Sequence, residues 1–201
     1  MKIVLASANA GKLRELAALL APLDLRLVSA PSLGIASPPE TGPTFLDNAL
    51  IKARHAAGAS GLPALADDSG IEVDALGGEP GVRSARYAGE GASDLENLEK
   101  LLAALRAVPE VRRTARYRCV LAFVANAADP EPIIGEGTWE GRIAEVPRGR
   151  GGFGYDPIFV PLDGRGGEVP RTAAELEPWE KDAVSHRARA LEAFRTRLGR
   201  A

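Results

Sequence analysis

The chain has 201 residues, of which 45% are hydrophobic and 26% are charged, and its formal net charge at pH 7 is −2. These values are typical of a globular protein with one compact domain or two lobes, and they argue against nucleic acid as a bulk electrostatic partner. The single cysteine, Cys119, excludes an intrachain disulfide and a multi-cysteine zinc site. No stretch approaches the roughly 20 apolar residues of a membrane span, so we expect a soluble protein in a reducing, cytoplasmic setting.

The N-terminal segment predicts a strand, a loop and a helix. Lys2 to Ala6 form an apolar run typical of a buried strand, Asn9-Ala10-Gly11 interrupt it, and leucines then recur at helical spacing. Backbone N–H groups at such a helix start can bind an anion, and Lys12 adds a full positive charge. A capped helix with a surface lysine is the alternative explanation of the same pattern.

A second strand and a second helix follow. The strand is predicted from Leu25 to Val28, and a proline-rich loop from Pro31 to Pro43 carries Glu40-Thr41-Gly42. Thr44 then predicts the start of a helix, with Asp47 at capping-box spacing. Lys52 lies off the apolar stripe of this helix, so it could face either solvent or a functional site.

The stretch Leu65-Ala66-Asp67-Asp68-Ser69-Gly70 carries two adjacent carboxylates. The apolar residues predict a buried strand, and Ser69-Gly70 predict a turn where the acids emerge. Since adjacent side chains on a strand point to opposite faces, we expect at most one aspartate to face a given site. Two acids at the end of a buried strand are costly unless they are paired, hydrogen-bonded or metal-bound, although a simple Asx-turn is the structural alternative. The alternating segment from Ile71 to Leu76 predicts a further, half-exposed strand.

The middle of the chain predicts a helix and then sheet strands. Ser93 to Glu96 match a capping box. The helix that follows is predicted to bury Leu95, Leu98, Leu101, Leu102 and Leu105. Thr114 to Asn126 predict a long strand with its continuously apolar second half at the sheet centre. Ile133 to Trp139 and Gly141 to Val146 predict a hairpin or two separate strands.

A glycine-rich loop follows these strands. Gly149 to Gly154 formally match G-x-G-x-x-G, but no long helix follows, so the dinucleotide fingerprint is rejected. Phe153-Gly154-Tyr155-Asp156 instead present two aromatic rings and one acceptor, which suit a nucleobase. A polar loop is predicted from Gly164 to Arg171, and a short helix from Thr172 to Glu177.

The last helix is predicted to begin near Ser185, with His186 and Arg187 in its first turn. Cations at this end oppose the helix dipole, which prefers negative charge there. Their placement therefore favours a role other than helix stabilisation, although a structural role is the alternative.

Five motifs occur together in this chain: Ser7-Ala8-Asn9-Ala10-Gly11-Lys12, Glu40-Thr41-Gly42, Ala66-Asp67-Asp68-Ser69-Gly70, Gly152-Phe153-Gly154-Tyr155-Asp156-Pro157 and Ser185-His186-Arg187. Their order resembles the non-canonical purine nucleoside triphosphate pyrophosphatase family, the ITP/XTP pyrophosphatases, over nearly the whole chain. The resemblance implies an α/β fold with a long mixed central sheet flanked by helices and two lobes around a nucleotide-binding cleft. It also implies a single pyrophosphatase domain over residues 1–201 and a homodimer with neither nucleic acid nor membrane as partner.

The resemblance further implies Mg²⁺-dependent hydrolysis of ITP, dITP and XTP to the monophosphate and pyrophosphate. Asp68 would be the catalytic residue, and Glu40 and Asp68 would hold Mg²⁺. The residues implied in substrate binding are Ser7, Ala8, Asn9, Ala10, Gly11 and Lys12 for the triphosphate, Lys52 and Ser69 as further phosphate contacts, and Phe153, Gly154, Tyr155, Asp156, Lys181, His186 and Arg187 for the base. Asp67 is either a second metal contact or a structural neighbour in the strand. Because an arginine cannot lose its protons, Arg187 would favour a 6-oxo group over the 6-amino group of adenine.

Several alternatives stay open at this point. A related pyrophosphatase that acts on modified pyrimidine nucleotides, or a nucleotide-binding module without activity, would share many of these motifs. The residues do not distinguish ITP from XTP, or one metal ion from two. The loop from Gly164 to Arg171 is longer than in compact members of the family, which leaves the shape near Lys181 open.

Overall fold

The computed structural model describes residues 2–21, 26–162 and 170–198. Within these residues a six-stranded sheet has the order β2-β1-β3-β4-β5-β6. The strands are β1 Lys2–Leu5, β2 Arg26–Ser29, β3 Ala64–Val73, β4 Thr114–Val124, β5 Ile133–Ile143 and β6 Phe159–Pro161. Strand β1 pairs in parallel with β2 and β3, whereas β5 and β6 are antiparallel. The predicted mixed sheet is therefore confirmed.

Helices accompany the sheet, as predicted for an α/β fold. They are α1 Ala10–Leu20, α2 Phe45–Ser60, α3 Asp94–Ala104, α4 Pro178–Val184 and α5 His186–Leu198. Local caps set two of the starts: the hydroxyl of Thr44 accepts the Asp47 N–H, and that of Ser93 accepts the Glu96 N–H. In the part of the chain that the structure describes, no helix is long and apolar enough to cross a membrane.

The predicted turn at Ser69-Gly70 is wrong, because β3 continues without a break to Val73. Ile71 and Val73 are fully buried, so core packing carries the chain on as a strand despite the turn-forming residues. The chain turns later, through a single 3₁₀ turn at Asp74–Leu76 that ends at Gly77 in the left-handed region. This turn also replaces the end of the predicted strand from Ile71 to Leu76.

The predicted break between Trp139 and Gly141 is also wrong, since β5 runs continuously from Ile133 to Ile143. A Cβ atom at Gly141 would collide with the ring of Phe159 on the neighbouring strand β6. Glycine at this position therefore serves close packing between two strands and not a turn.

Two further predictions differ from the structure, and two others fall wholly or partly outside the described residues. Leu95, predicted to be buried, is 61% exposed, because it lies in the first turn of α3 and off its buried face. The predicted helix from Thr172 to Glu177 is a 3₁₀ turn at Ala173–Glu175, and α4 after it was not predicted. Leu25 and most of the predicted loop from Gly164 to Arg171 lie outside the described residues.

The chain divides into two compact units, and each has its own apolar core. Unit 1 comprises Met1–Asp68, Cys119–Gly137 and Arg187–Ala201; unit 2 comprises Ser69–Arg118 and Thr138–His186. The unit 1 core includes Leu5, Leu16, Leu20, Leu65, Cys119, Leu121 and Phe194. The unit 2 core includes Ile71, Leu98, Leu101, Tyr117, Trp139, Tyr155, Ile158 and Phe159. The boundaries lie inside β3, β4 and β5 and after the first residue of α5.

Candidate active site

The loop from Ser7 to Lys12 joins β1 to α1 in unit 1. The side chain of Asn9 caps the helix, because its Oδ1 accepts the Lys12 N–H at 3.0 Å, and the Asn9 N–H donates to Ser7 Oγ at 3.3 Å. Ala10 and Gly11 lie in the first turn, where backbone N–H groups have no partner inside a helix. Asn9 thus binds the Lys12 N–H, one of the backbone amides predicted to bind an anion. The N–H groups of Ala10 and Gly11 are the remaining candidates for anion binding in this turn.

Strand β3 brings Asp67 close to this loop, because β1 and β3 are parallel and adjacent. Asp67 Oδ2 lies 3.1 Å from Lys12 Nζ and 3.4 Å from Arg187 Nη2, and the Asp67 side chain is completely buried. Arg187 also forms an ion pair with Glu15 of α1. We call Lys12, Glu15, Asp67 and Arg187 the charged quartet; it contains two cations and two anions. Burial alone would raise the pKa of Asp67, but Lys12 and Arg187 outweigh it and hold that pKa well below its usual range.

Asp68 points to the other face of β3 and has a different partner. Lys52 Nζ lies 2.7 Å from Asp68 Oδ1 and 3.0 Å from Glu40 Oε1. The predicted opposite orientation of the two aspartates is therefore confirmed, and Lys52 faces this acid pair and not solvent. Burial tends to lower the pKa of Lys52, but Asp68, Asp67 and Glu40 raise it overall. Burial raises the pKa of Asp68, against the opposing effect of Lys52.

Asn48 fixes the backbone of the loop that carries Glu40. Its Oδ1 accepts the Gly42 N–H at 2.8 Å, and its Nδ2 donates to the Gly42 carbonyl at 3.1 Å. A Cβ atom at Gly42 would lie 2.5 Å from Asp47 Cβ and 2.8 Å from Asn48 Oδ1, so only glycine fits there. The sequence interpretation missed Asn48, although a polar residue one helical turn before Lys52 was a usable signal.

The acid pair Glu40 and Asp68 fits a hard divalent cation. Among the residues that the structure describes, Asp68 Oδ2 is buried and has no hydrogen-bond partner, so it has a free coordination position. No group of three or more His, Cys, Asp or Glu side chains that could hold a metal occurs in the described residues. Two carboxylates are nevertheless a usual protein contribution for Mg²⁺, which takes its other ligands from water and substrate phosphates.

In unit 2, Asp156 organises the predicted base-binding loop. Its carboxylate accepts hydrogen bonds from Lys181 Nζ at 2.6 Å, from the Tyr117 hydroxyl at 3.1 Å and from the Phe153 N–H at 2.9 Å. Gly152 adopts a left-handed conformation with φ 70°, and a Cβ atom there would collide with this carboxylate. The loop is therefore folded around one buried acid.

Aromatic rings surround this acid. The Tyr117 ring stacks on that of His186, with centroids 4.6 Å apart and planes inclined by 10°. Lys181 Nζ lies 5.0 Å from the centroid of the half-buried Phe153 ring. Tyr117 was missed from the sequence, where it reads as one inward residue of an alternating strand. Its position next to the predicted site residues His186 and Asp156 depends on contacts that sequence spacing does not encode.

Tyr155 and Asp156, which the sequence predicts as direct contacts of a nucleobase, are both buried. The Tyr155 ring is 4% exposed within the unit 2 core, its hydroxyl donates to the Ser84 carbonyl at 2.8 Å, and burial raises its pKa. Asp156 is likewise buried and already accepts three hydrogen bonds. These surroundings favour a role in shaping the loop over direct contact with a base, and they leave Phe153 as the stacking candidate.

The structure thus sorts the predicted site residues into groups. In unit 1, Lys12, Asp67 and Arg187 come together, as do Glu40, Lys52 and Asp68. In unit 2, Phe153, Asp156 and Lys181 come together, and His186 joins them through Tyr117. Gly154 donates its N–H to Asp94 Oδ2 at 2.8 Å, and Ser69 lies half-buried directly after Asp68 on β3. Arg187, predicted beside His186, contacts Asp67 and Glu15 in unit 1.

Comparison with known proteins gives matches over nearly the full chain. The family model described as Ham1 family matches residues 3–197. A dITP/XTP pyrophosphatase from Yersinia pseudotuberculosis is 59% identical over 192 residues, covering 95% of this chain and 94% of the relative. The structure of a HAM1 protein from Coxiella burnetii is 50% identical, with a TM-score of 0.88 and full coverage of both chains. A nucleoside-triphosphatase / dITP/XTP pyrophosphatase from Mycobacterium abscessus is 50% identical, with a TM-score of 0.73 over 96% of this chain and 98% of that one.

Proposed function

The chain belongs to the Ham1 family, and on that premise we propose that it hydrolyses the triphosphates of non-canonical purine nucleosides, such as ITP, dITP and XTP. The products are the nucleoside monophosphate and pyrophosphate, so the enzyme cleanses the nucleotide pool. The family match confirms the resemblance that the five sequence motifs indicated. The observation that carries the reaction is Asp68, a buried carboxylate whose Oδ2 lacks a hydrogen-bond partner among the described residues and whose Oδ1 shares Lys52 with Glu40.

Most of the residues proposed to contact the triphosphate lie in unit 1. The first-turn amides of Ala10 and Gly11 donate to phosphate oxygens, and the ammonium of Lys12 offsets their charge. Ser7, Ala8 and Asn9 hold this loop in shape, and Lys52 and Ser69 are further phosphate contacts. Because an ammonium has three donors, Lys52 can bind a phosphate oxygen and still keep a hydrogen bond to Glu40 or Asp68.

Glu40 and Asp68 are the proposed ligands of Mg²⁺. When bound, the ion would lower the pKa of a coordinated water and offset phosphate charge. Asp68 orients or deprotonates the attacking water through the oxygen that Lys52 does not contact. Asn48 holds the Glu40 loop in place throughout, because it grips the backbone and not the carboxylate.

Most of the residues proposed to contact the base lie in unit 2. Phe153 stacks on the purine, while Lys181 and His186 donate hydrogen bonds to its edge. Gly154, Tyr155 and Asp156 fix the loop in the conformation that presents Phe153. Arg187, which forms ion pairs with Asp67 and Glu15, is the proposed donor to the 6-oxo group, because a guanidinium donates and never accepts hydrogen bonds. A polar contact of this kind can reject adenine by orders of magnitude.

The proposal treats the chain as a single pyrophosphatase domain that acts as a homodimer in the cytoplasm, without nucleic acid or membrane partners. The match of the family model to residues 3–197 supports one domain. The single cysteine and the small net charge are consistent with the cytoplasmic setting.

A pyrophosphate-release assay across ITP, XTP, GTP and ATP, with and without Mg²⁺, tests the proposal. We expect Mg²⁺-dependent pyrophosphate release from ITP and XTP, with GTP and ATP nearly inert. Release of orthophosphate, or a preference for ATP, would contradict the assignment. Binding of ITP without any turnover would instead identify a nucleotide-binding module.

A further inference from the structure

Asp67 has no role in the reaction described above, although it is the most completely buried charge beside the proposed catalytic carboxylate. Its side chain has no exposed surface, and it lies next to Asp68 in β3. Burial of a carboxylate is unfavourable unless its partners compensate for the lost solvation. Its partners therefore indicate what Asp67 does.

The partners of Asp67 are two cations that the proposed function uses for substrate. Lys12 Nζ is 3.1 Å from its Oδ2, and Arg187 Nη2 is 3.4 Å from the same oxygen. Two cations so close repel a metal ion, so Asp67 is a poor second metal ligand. We propose that Asp67 is a positioning residue, which holds the side chains of Lys12 and Arg187 in the orientations that receive the nucleotide.

The arrangement of the charged quartet supports this role. Lys12 and Glu15 are three residues apart on α1 and so share one face of the helix, while Asp67 comes from β3 and Arg187 from α5. Lysine and arginine side chains each lose much rotamer entropy when they are held in one conformation. Fixing both cations before the nucleotide arrives removes that entropy loss from the binding step, which is the physical content of preorganisation.

This role rests on the proposed function, and it assigns the two aspartates to different kinetic constants. Asp68 acts on turnover, whereas Asp67 acts through Lys12 and Arg187 on substrate binding. Loss of Asp67 should therefore raise KM, and the part of this rise that passes through Lys12 should vanish when Lys12 is absent.

The test is a double-mutant cycle on pyrophosphate release from ITP, with Asp67→Asn, Lys12→Met and the double variant. We expect Asp67→Asn to raise KM about tenfold or more while kcat changes by less than about threefold. The double variant should raise KM no more than about threefold beyond Lys12→Met alone, because the two residues act as one unit. Because Arg187 is also misplaced, the ratio of kcat/KM for ITP over ATP should fall about fivefold or more in Asp67→Asn and stay near wild type in Lys12→Met.

Controls separate this role from a general loss of structure. Asp129→Asn makes the same substitution in a turn of unit 1 whose Asp129 Oδ2 accepts the Ala125 N–H, and it should leave both kinetic constants unchanged. If Asp67→Asn does not fold, Asp67→Glu carries the same cycle, because it keeps the charge but shifts it by one methylene.

Three results would overturn the role of Asp67 while leaving the proposed function intact: an unchanged KM, a loss confined to kcat, or effects on KM that multiply in the double variant. Wild-type protein that releases no pyrophosphate from ITP would instead overturn the proposed function itself.

Discussion

The candidate site residues of unit 1 and those of unit 2 compensate buried charge in different ways. In unit 1, acids are matched by cations: Lys12 and Arg187 face Asp67 and Glu15, and Lys52 faces Glu40 and Asp68. In unit 2, a single acid, Asp156, is held by one lysine, a phenol and a backbone amide, with aromatic rings around it. The first cluster is governed by Coulomb energy and the second by directed hydrogen bonds and stacking.

This difference fits the step that the proposed function gives to each cluster. Charges that are paired with other charges can exchange partners with a phosphate or a metal ion at modest cost, which suits chemistry. A hydrogen-bonded acid wrapped by its own loop instead holds one conformation, which suits recognition of a flat base. The predictions that follow test this division, beginning with the largest expected effect.

The unit 1 cluster should be most sensitive at Asp68. Replacing Asp68 by Asn keeps the shape but removes the base and a metal ligand, so we expect kcat for ITP to fall by about 10² to 10⁴. Nucleotide binding should be largely retained, because the Lys12 loop is untouched. Steady-state kinetics with ITP, together with a titration of nucleotide binding, measure both. An unchanged kcat would remove Asp68 from the mechanism.

The unit 2 cluster should respond in stability. Asp156→Asn breaks the buried pair with Lys181 and leaves a buried ammonium without its counter-charge, which should lower the free energy of unfolding by about 3–5 kcal/mol. Urea denaturation followed by tryptophan fluorescence measures the change. Asp74→Asn is the matched control in unit 2, because its exposed ion pair with Arg116 should contribute only about 0–1 kcal/mol. Equal losses in the two variants would contradict the role given to Asp156.

Phe153 should affect binding more than turnover. Phe153→Ala removes the half-buried ring that lies beneath Lys181, and the loss of base stacking should raise KM for ITP about tenfold. Trp179→Ala, which removes an exposed ring elsewhere in unit 2, should leave KM unchanged. A fall in kcat with constant KM would show that the ring serves the reaction and not the base.

Cys119 gives the smallest effect, through the pH dependence of stability. Burial raises the pKa of its thiol from 9.0 to about 12, so the unfolded chain ionises before the folded one. The stabilisation from Cys119 is therefore complete below pH 9 and is lost as the pH rises towards 12, by up to about 1.4 kcal/mol per pH unit. The difference in unfolding free energy between wild type and Cys119→Ala, measured at pH 8 and pH 10, should shrink at the higher pH. A constant difference, or rapid labelling of the native thiol at pH 8, would contradict the inferred burial.

The features that sequence predicted correctly are those fixed by near neighbours. Thr44 and Ser93 cap helices because their partners lie three residues away, and the period of a strand placed Asp67 and Asp68 on opposite faces. The turn at Ser69-Gly70 failed because core packing of Ile71 and Val73 outweighed local turn preference. Local turn preferences describe an isolated peptide, whereas β3 is packed in the core of the protein.

The site residues that sequence missed are those defined by distant partners. Glu15 meets Arg187 across 172 positions of the chain, and Tyr117 meets Asp156 across 39. Arg187 and His186 are adjacent in sequence, yet they join different clusters in different units. Periodicity can say that a side chain points inward, but it does not say which side chain it meets.

The position of Lys52 has a consequence for the stability of the protein when no divalent ion is bound. The Lys52 ammonium already offsets part of the negative charge of Glu40 and Asp68, so we expect the folded chain to be stable without a divalent ion. A chelator should then stop turnover while leaving the melting temperature where it was. The proposed function then predicts that adding Mg²⁺ back to the chelated protein restores pyrophosphate release without a refolding step.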